Sequence, residues 1–124
     1  MTKYASGANA ERELKKAIEA AYPGSFVGRM AGSHGPADLV WIKRDGKVSI
    51  IQVKASSRSA KYMLSSASKE LNSADIMAVK IVALRSRGVW AFFQVSLFDE
   101  PMPLTSMITV INMRVSFMRK GDKK

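Results

Sequence analysis

Cysteine is absent from this chain of 124 residues, and histidine occurs once. Without cysteine the chain can form neither a disulfide nor a Cys-based zinc site, so nothing in it indicates secretion. No apolar run approaches the roughly 18–20 residues that a membrane span needs, and residues 1–7 lack the apolar segment of a secretory signal. We therefore expect a soluble, cytoplasmic protein.

Acidic residues are scarce relative to basic ones. Twenty Lys and Arg against ten Asp and Glu leave a formal net charge of +10. The basic residues occur along most of the chain, and only the end from Arg119 to Lys124 has the composition of a frayed basic tail. This balance favours a polyanionic partner, either nucleic acid or an anionic membrane surface.

The length predicts a single domain over residues 1–124, without repeats or linkers. Apolar periodicity predicts helices and strands in the order α-β-β-β-α-β-β, and so an α/β fold with a central mixed sheet flanked by helices. The predicted elements are a helix at 9–21, a strand at 26–30, a hairpin at 38–54, a helix at 60–71 and strands at 76–84 and 89–95. From Leu104 onward the pattern fits a helix or a strand. This Met-rich tail either forms a dimer interface or folds back over the sheet.

The hairpin turns at Asp45-Gly46, a pair typical of tight β-turns. A two-residue loop would place Asp38 opposite Val53. A three-residue loop, with Gly46 in the left-handed conformation, places Asp38 opposite Gln52. We favour the longer loop because it separates two mostly apolar faces and gathers the polar side chains at one end of one face.

Three polar residues then lie together: Asp38, Gln52 and Lys54. Glu11 lies three residues before Leu14 and so projects from the apolar side of the first helix, whereas Glu13 is better placed to point outward. A carboxylate on that side is costly unless it is paired, protonated or bound to metal. Two interpretations stay open for Glu11, a rim residue that complements the helix dipole or a member of the same site.

These residue types suit metal-assisted phosphodiester hydrolysis. Mg²⁺ binds oxygen ligands, typically one or two carboxylates with waters and a substrate phosphate. Asp38 and Glu11 can supply carboxylates, Gln52 an amide oxygen and Val53 its backbone carbonyl. Lys54 can position the attacking water and stabilise the developing negative charge. The alternative is a buried Asp–Lys ion pair with a hydrogen-bonded Gln.

The segment "PADLV…IIQVKASS" resembles the signature of the PD-(D/E)xK nucleases. The segments "GANAEREL", "GRMAGSHGPADLV" and "VWAFFQVS" are similar to those of the archaeal-type Holliday junction resolvases, a family that also occurs in viruses. The similarity spans roughly residues 6 to 96, in order and with compatible spacing. It implies a restriction-endonuclease-like fold.

The resemblance also implies a homodimeric endonuclease of DNA recombination and repair that uses Mg²⁺, with Mn²⁺ able to substitute. It would nick two opposing strands of a four-way DNA junction and have no membrane partner. Glu11, Asp38 and Lys54 match the family's catalytic acid, metal-binding acid and lysine, and Ser33 matches a loop serine important for cleavage. We assign five residues to DNA contact, of which the first two match basic positions of the family: Arg12, Arg29, His34, Arg58 and Lys61.

Gln52 departs from the family, which usually has Glu at this position. The amide removes a negative charge from the expected metal site, so we expect weaker metal binding rather than inactivation. Two alternatives remain: another nuclease of the same fold, of the mismatch or restriction type, or a DNA-binding module whose site has decayed.

Overall fold

The computed structural model describes residues 3–30, 37–56, 60–73, 77–97 and 99–122, with side chains at 8–30, 37–55, 63–73, 77–97 and 99–121. Three helices and six strands lie in these ranges. In chain order they are α1 (Lys3–Ala21), β1 (Phe26–Arg29), β2 (Leu39–Ile42), β3 (Val48–Ser56), α2 (Ala60–Asn72), β4 (Val79–Ser86), β5 (Val89–Val95), β6 (Met102–Pro103) and α3 (Thr105–Asp122).

The six strands form one sheet in chain order, β1-β2-β3-β4-β5-β6. Only the β3–β4 pair is parallel among these strands, and α2 makes the crossover that a parallel connection requires. The predicted α/β class, with a mixed sheet and flanking helices, is confirmed, as is the order of the first seven elements.

The β2–β3 hairpin has the register of the three-residue loop. Leu39 pairs with Ile51, and Lys43 N–H donates to the Lys47 carbonyl over 2.9 Å. Gly46 closes the loop with φ +88°, a left-handed conformation that a side chain would strain. The longer loop is therefore confirmed.

Each face of the sheet carries its own core, because side chains alternate along a strand. On β3, Ile51 and Val53 face α1 and α3, whereas Ile50 faces α2. Gln52 and Lys54 continue the alternation on the α2 face. The hairpin is thus covered on both sides, as its apolar composition predicts.

The tail that fitted either a helix or a strand is helix α3, and it folds back over the sheet. Met107, Ile111 and Val115 recur at helical spacing and are buried against α1 and β5. The side-chain amide of Asn112 bonds both the N–H and the carbonyl of Trp90, at 2.9 and 2.8 Å, which fixes the helix to β5. None of the three helices, over the residues described, is long and apolar enough to cross a membrane.

An ion-pair network on Glu13 joins α3 to α1. Arg119 donates to both Glu13 oxygens, at 2.7 and 3.1 Å, and Trp90 Nε1 and Arg85 donate to Oε1 at 3.0 and 3.3 Å. Two expectations are therefore wrong. Glu13, expected to point outward, has a side chain only 18% exposed. The end from Arg119, expected to be frayed, stays helical to Asp122 because Arg119 is held by Glu13 and by the Gly88 carbonyl.

Glu13→Gln should lower the free energy of unfolding at pH 7 by about 2 kcal/mol, because it removes the partly buried carboxylate that Arg119 and Arg85 share. Burial alone would raise the pKa of Glu13, but the Arg119 and Trp90 hydrogen bonds and the Arg119 and Arg85 charges outweigh it, so the pKa lies below 4.5. A lowered carboxyl pKa stabilises the fold above the unfolded value and loses that effect as pH falls through the folded value. The difference between wild type and variant should be full at pH 7 and shrink below pH 4.5.

Chemical denaturation at several pH values measures this difference. Glu100→Gln is the matched control, since Glu100 is exposed. Equal effects of the two substitutions at pH 7 would show that the network does not hold the helices together.

Candidate metal centre

Asp38 is held where the β2–β3 ladder ends. Its N–H donates to the Ile51 carbonyl over 2.9 Å, and its carbonyl accepts from Met30 N–H over 3.0 Å. Its carboxylate Oδ2 accepts the Val53 N–H over 2.8 Å. The side chain thus takes the place of a strand partner at this end of β3, which leaves Oδ1 directed away from that bond.

Gln52 and the Val53 carbonyl offer two further oxygens beside Asp38. The paired register ends at Leu39 and Ile51, and Gln52 is the next residue of β3, between Ile51 and Val53, whose backbone groups both bond Asp38. Gln52 is a buried polar residue, only 7% exposed. In an extended strand the N–H and carbonyl of one residue point the same way, so the Val53 carbonyl faces Asp38 rather than β4.

Glu11 reaches the same place from α1. Its side chain is 18% exposed, and Arg29 Nε of β1 lies 3.3 Å from its Oε1. Arg29 itself is 72% exposed, so one face of the guanidinium remains open to solvent. Asp38 is close enough to Glu11 for the two carboxylates to repel each other, and the assignment of Glu11 to the site stays a prediction.

Both acids are held in an environment that disfavours their charge. Burial raises the pKa of Glu11, the charge of Asp38 raises it further, and Arg29 offsets part of this. Burial also raises the pKa of Asp38, against the lowering effects of the Val53 N–H, Lys54 and Arg29, while Glu70 adds to the rise. Two desolvated carboxylates with facing amide and carbonyl oxygens form a place where a cation would be stabilised.

Lys54 lies at the edge of this group and forms an ion pair that the sequence did not suggest. Its Nζ lies 3.1 Å from Oε1 of Glu70 on α2. Within the described ranges, Asp38 is not within ion-pair distance of Lys54, so the buried Asp–Lys pair considered above is not formed. The sequence feature that could have pointed to Glu70 is its position directly before Leu71, which belongs to the apolar face of α2.

The donor set fits a hard cation such as Mg²⁺ rather than a soft metal that prefers thiolate ligands. Among the described residues, no group of three or more Asp, Glu or His side chains is placed to hold a metal ion. The site instead offers two carboxylates, one amide oxygen and one backbone carbonyl, all of them hard oxygen donors. Mg²⁺ binds with one or two carboxylates and keeps several waters, so these residues suit it and also Mn²⁺.

The residues assigned to DNA contact are only partly described. Arg12, which follows Glu11 on α1, is exposed. Ser33, His34 and Arg58 lie outside the described residues, and so does the side chain of Lys61. Their assignments stay predictions.

A cavity of about 740 Å³ lies elsewhere, on the α1 and α3 face of the sheet near the hairpin loop. Tyr22, Trp41 and Leu104 are among the residues that line it. It contains none of the predicted site residues, so it does not belong to the candidate metal centre.

Comparison with known proteins adds little to this geometry. No family model and no curated protein sequence matches the chain. Among solved structures, a Holliday junction resolvase (Hjc) from the archaeal hyperthermophile Archaeoglobus fulgidus aligns at 23% identity over 82% of this chain and 90% of that chain, with a TM-score of 0.47. A likeness at this level carries no argument about site residues or activity.

Gln52→Glu should increase Mg²⁺ affinity by about tenfold or more, because it adds a unit charge beside Asp38 in a partly desolvated site. Without metal the same charge should lower the melting temperature, since a third carboxylate then repels the first two. Thermal unfolding over a Mg²⁺ titration measures both effects, because a ligand that binds the folded state raises the melting temperature.

Gln94→Glu is the control for the same chemical change on an exposed residue. If the two variants respond to Mg²⁺ alike, Gln52 does not lie beside the metal.

Proposed function

We propose that this chain is a metal-dependent endodeoxyribonuclease that resolves four-way DNA junctions. The observation that carries the proposal is that the Asp38 carboxylate accepts the N–H of Val53, the residue between Gln52 and Lys54, and that Glu11 of α1 is near enough for the two acidic charges to interact. The segments that resemble the archaeal-type Holliday junction resolvases are the ones that form this arrangement.

Each residue has a role in the proposed hydrolysis. Asp38 and Glu11 would hold Mg²⁺ or Mn²⁺ with the oxygens of Gln52 and Val53. The bound cation would polarise the scissile phosphate and make a bound water more acidic. Lys54, as an ammonium, would orient the attacking water by hydrogen bonding and stabilise the negative charge that develops on phosphorus-bound oxygens. Ser33, outside the described residues, keeps the role that the resemblance gives it.

The charge of the chain supports DNA as the substrate. A net charge of +10 favours a polyanion, and phosphate contacts supply most of the affinity in such complexes. Exposed Arg12 and Arg29 flank Glu11 from α1 and β1, so a DNA strand held by them would pass over the candidate metal centre. Phosphate contacts carry no sequence information, which suits recognition of a junction by its shape.

A homodimer would present the two sites that symmetric nicking requires. Three exposed apolar side chains stand in one cross-strand row on the α2 face: Phe26, Ile42 and Val48, at 57%, 39% and 39% exposure. Helix α2 packs on β3 and β4, and this row lies beyond it. An exposed apolar patch of this kind commonly marks a partner surface, and a second copy of the chain is the partner proposed.

A synthetic four-way junction incubated with Mg²⁺ should be nicked on two opposing strands, much faster than a linear duplex of the same sequence. Asp38→Asn should abolish cleavage and leave junction binding in EDTA nearly unchanged, because it removes a metal ligand but can still accept the Val53 N–H. Strand-resolved gels and a binding titration measure the two properties.

The outcomes separate the alternatives. Equal cleavage of junction and duplex would indicate another nuclease of the same fold. Junction binding without cleavage in either Mg²⁺ or Mn²⁺ would indicate a non-catalytic DNA-binding module. Loss of both binding and cleavage in Asp38→Asn would assign Asp38 to folding.

Junction affinity should fall by about 10³-fold between 50 and 200 mM salt if roughly six phosphates are neutralised. Arg12→Gln should reduce the slope of log affinity against log salt by about one. Arg44→Gln, which makes the same charge change at the opposite end of the β2–β3 hairpin, is the control. A salt-independent affinity would rule out phosphate contacts as the source of binding.

A further inference from the structure

The ion pair between Lys54 and Glu70 connects the sheet to α2 at the candidate metal centre. Lys54 Nζ and Glu70 Oε1 are 3.1 Å apart, with side chains 32% and 45% exposed. Glu70 is also close enough to Asp38 to oppose the ionisation of its carboxyl group. Glu70 thus acts on two residues of the site, although it lies on neither the hairpin nor α1.

Core packing fixes the position of Glu70. Met63, Ala67 and Leu71 form the buried face of α2, packed against side chains of β3 and β4. Glu70 directly precedes Leu71, which is 0% exposed, so its Cα is held by the core rather than by a loop. The carboxylate therefore reaches Lys54 from a rigid element.

Stability alone gives little reason for an acid at this position. Glu70 lies in the last turn of α2, where the helix dipole disfavours a negative charge. A partly exposed Lys–Glu pair contributes little to folding, because solvent screens it and two flexible side chains lose freedom. What the pair does provide is a defined direction for the Lys54 ammonium.

The Lys54 ammonium needs a partner such as Glu70 to fix its direction, because the side chain at position 52 is neutral. An acid there would lie two residues from Lys54 on the same strand face and could hold its ammonium, whereas Gln52 carries no charge to do so. Glu70 does not replace the missing metal ligand, since no three acids within the described ranges are placed to share a metal ion. Its carboxylate is engaged by Lys54 instead.

We propose that Glu70 is a positioning residue, which holds the Lys54 ammonium at the angle needed to meet the attacking water and the scissile phosphate. This inference rests on the proposed nuclease function. It assigns to α2 the orientation of Lys54, which neither the hairpin nor α1 provides.

Glu70→Gln should lower the single-turnover cleavage rate of a four-way junction at saturating Mg²⁺ by about 10–100-fold. This is the range expected when a reacting group, here the Lys54 ammonium, is slightly displaced from its reactive position. The junction dissociation constant in EDTA should not change, because Glu70 does not bind DNA, and saturating Mg²⁺ removes any effect of altered metal affinity on the rate. Glu70→Asp, which keeps the charge, should recover part of the rate.

Glu100→Gln is the matched control, an exposed acid whose loss raises the net charge by the same amount. Because both changes make the chain more basic, weaker attraction for DNA cannot explain a slower Glu70→Gln variant. Two results would overturn the inference while leaving the nuclease function intact: a wild-type rate in Glu70→Gln, or no recovery in Glu70→Asp. A wild-type chain that cuts no DNA would overturn both.

Discussion

The register of the β2–β3 hairpin is the constraint on which the candidate site depends. The three-residue loop, closed by Gly46 at φ +88°, sets Leu39 against Ile51, so that the backbone groups of Ile51 and Val53, on either side of Gln52, bond Asp38. A slip of one residue would turn every side chain of one strand to the opposite face and separate Asp38 from Lys54. The loop is at the far end of the strands, yet it determines which polar groups meet.

The same geometry places charge where the fold disfavours it. Glu11 and Asp38 are partly desolvated and repel each other, and the polar side chain of Gln52 is buried. Ionised carboxylates with raised pKa values reduce stability at neutral pH. The cost is offset elsewhere, above all by the two cores and by the Glu13 network that fastens α3 to α1. Desolvated carboxylates that repel each other are typical of ligand-binding and catalytic sites.

Local patterns predicted most of the fold, and long-range partners account for what they missed. The hairpin, α1 and α2 follow from periodicity and turn chemistry within a few residues. Helix α3 stayed ambiguous because Val, Ile and Thr suit a strand, and its packing on Trp90 and Phe92 settles its form. Glu13 was misjudged because its partner Arg119 is 106 residues away, and Glu70 was missed because its contact with Lys54 depends on how α2 crosses the sheet.

If Asp38, Glu11 and Gln52 surround a cation site, a bound cation should lie among their oxygen atoms. The position of the cation can be measured in a crystal. Crystals soaked in Mn²⁺ should give a strong anomalous peak within coordination distance of Asp38, near the Gln52 amide oxygen and the Val53 carbonyl. The same soak of Asp38→Asn should give no peak there. A peak that persists in the variant, or wild-type Mn²⁺ bound only elsewhere, would contradict the account.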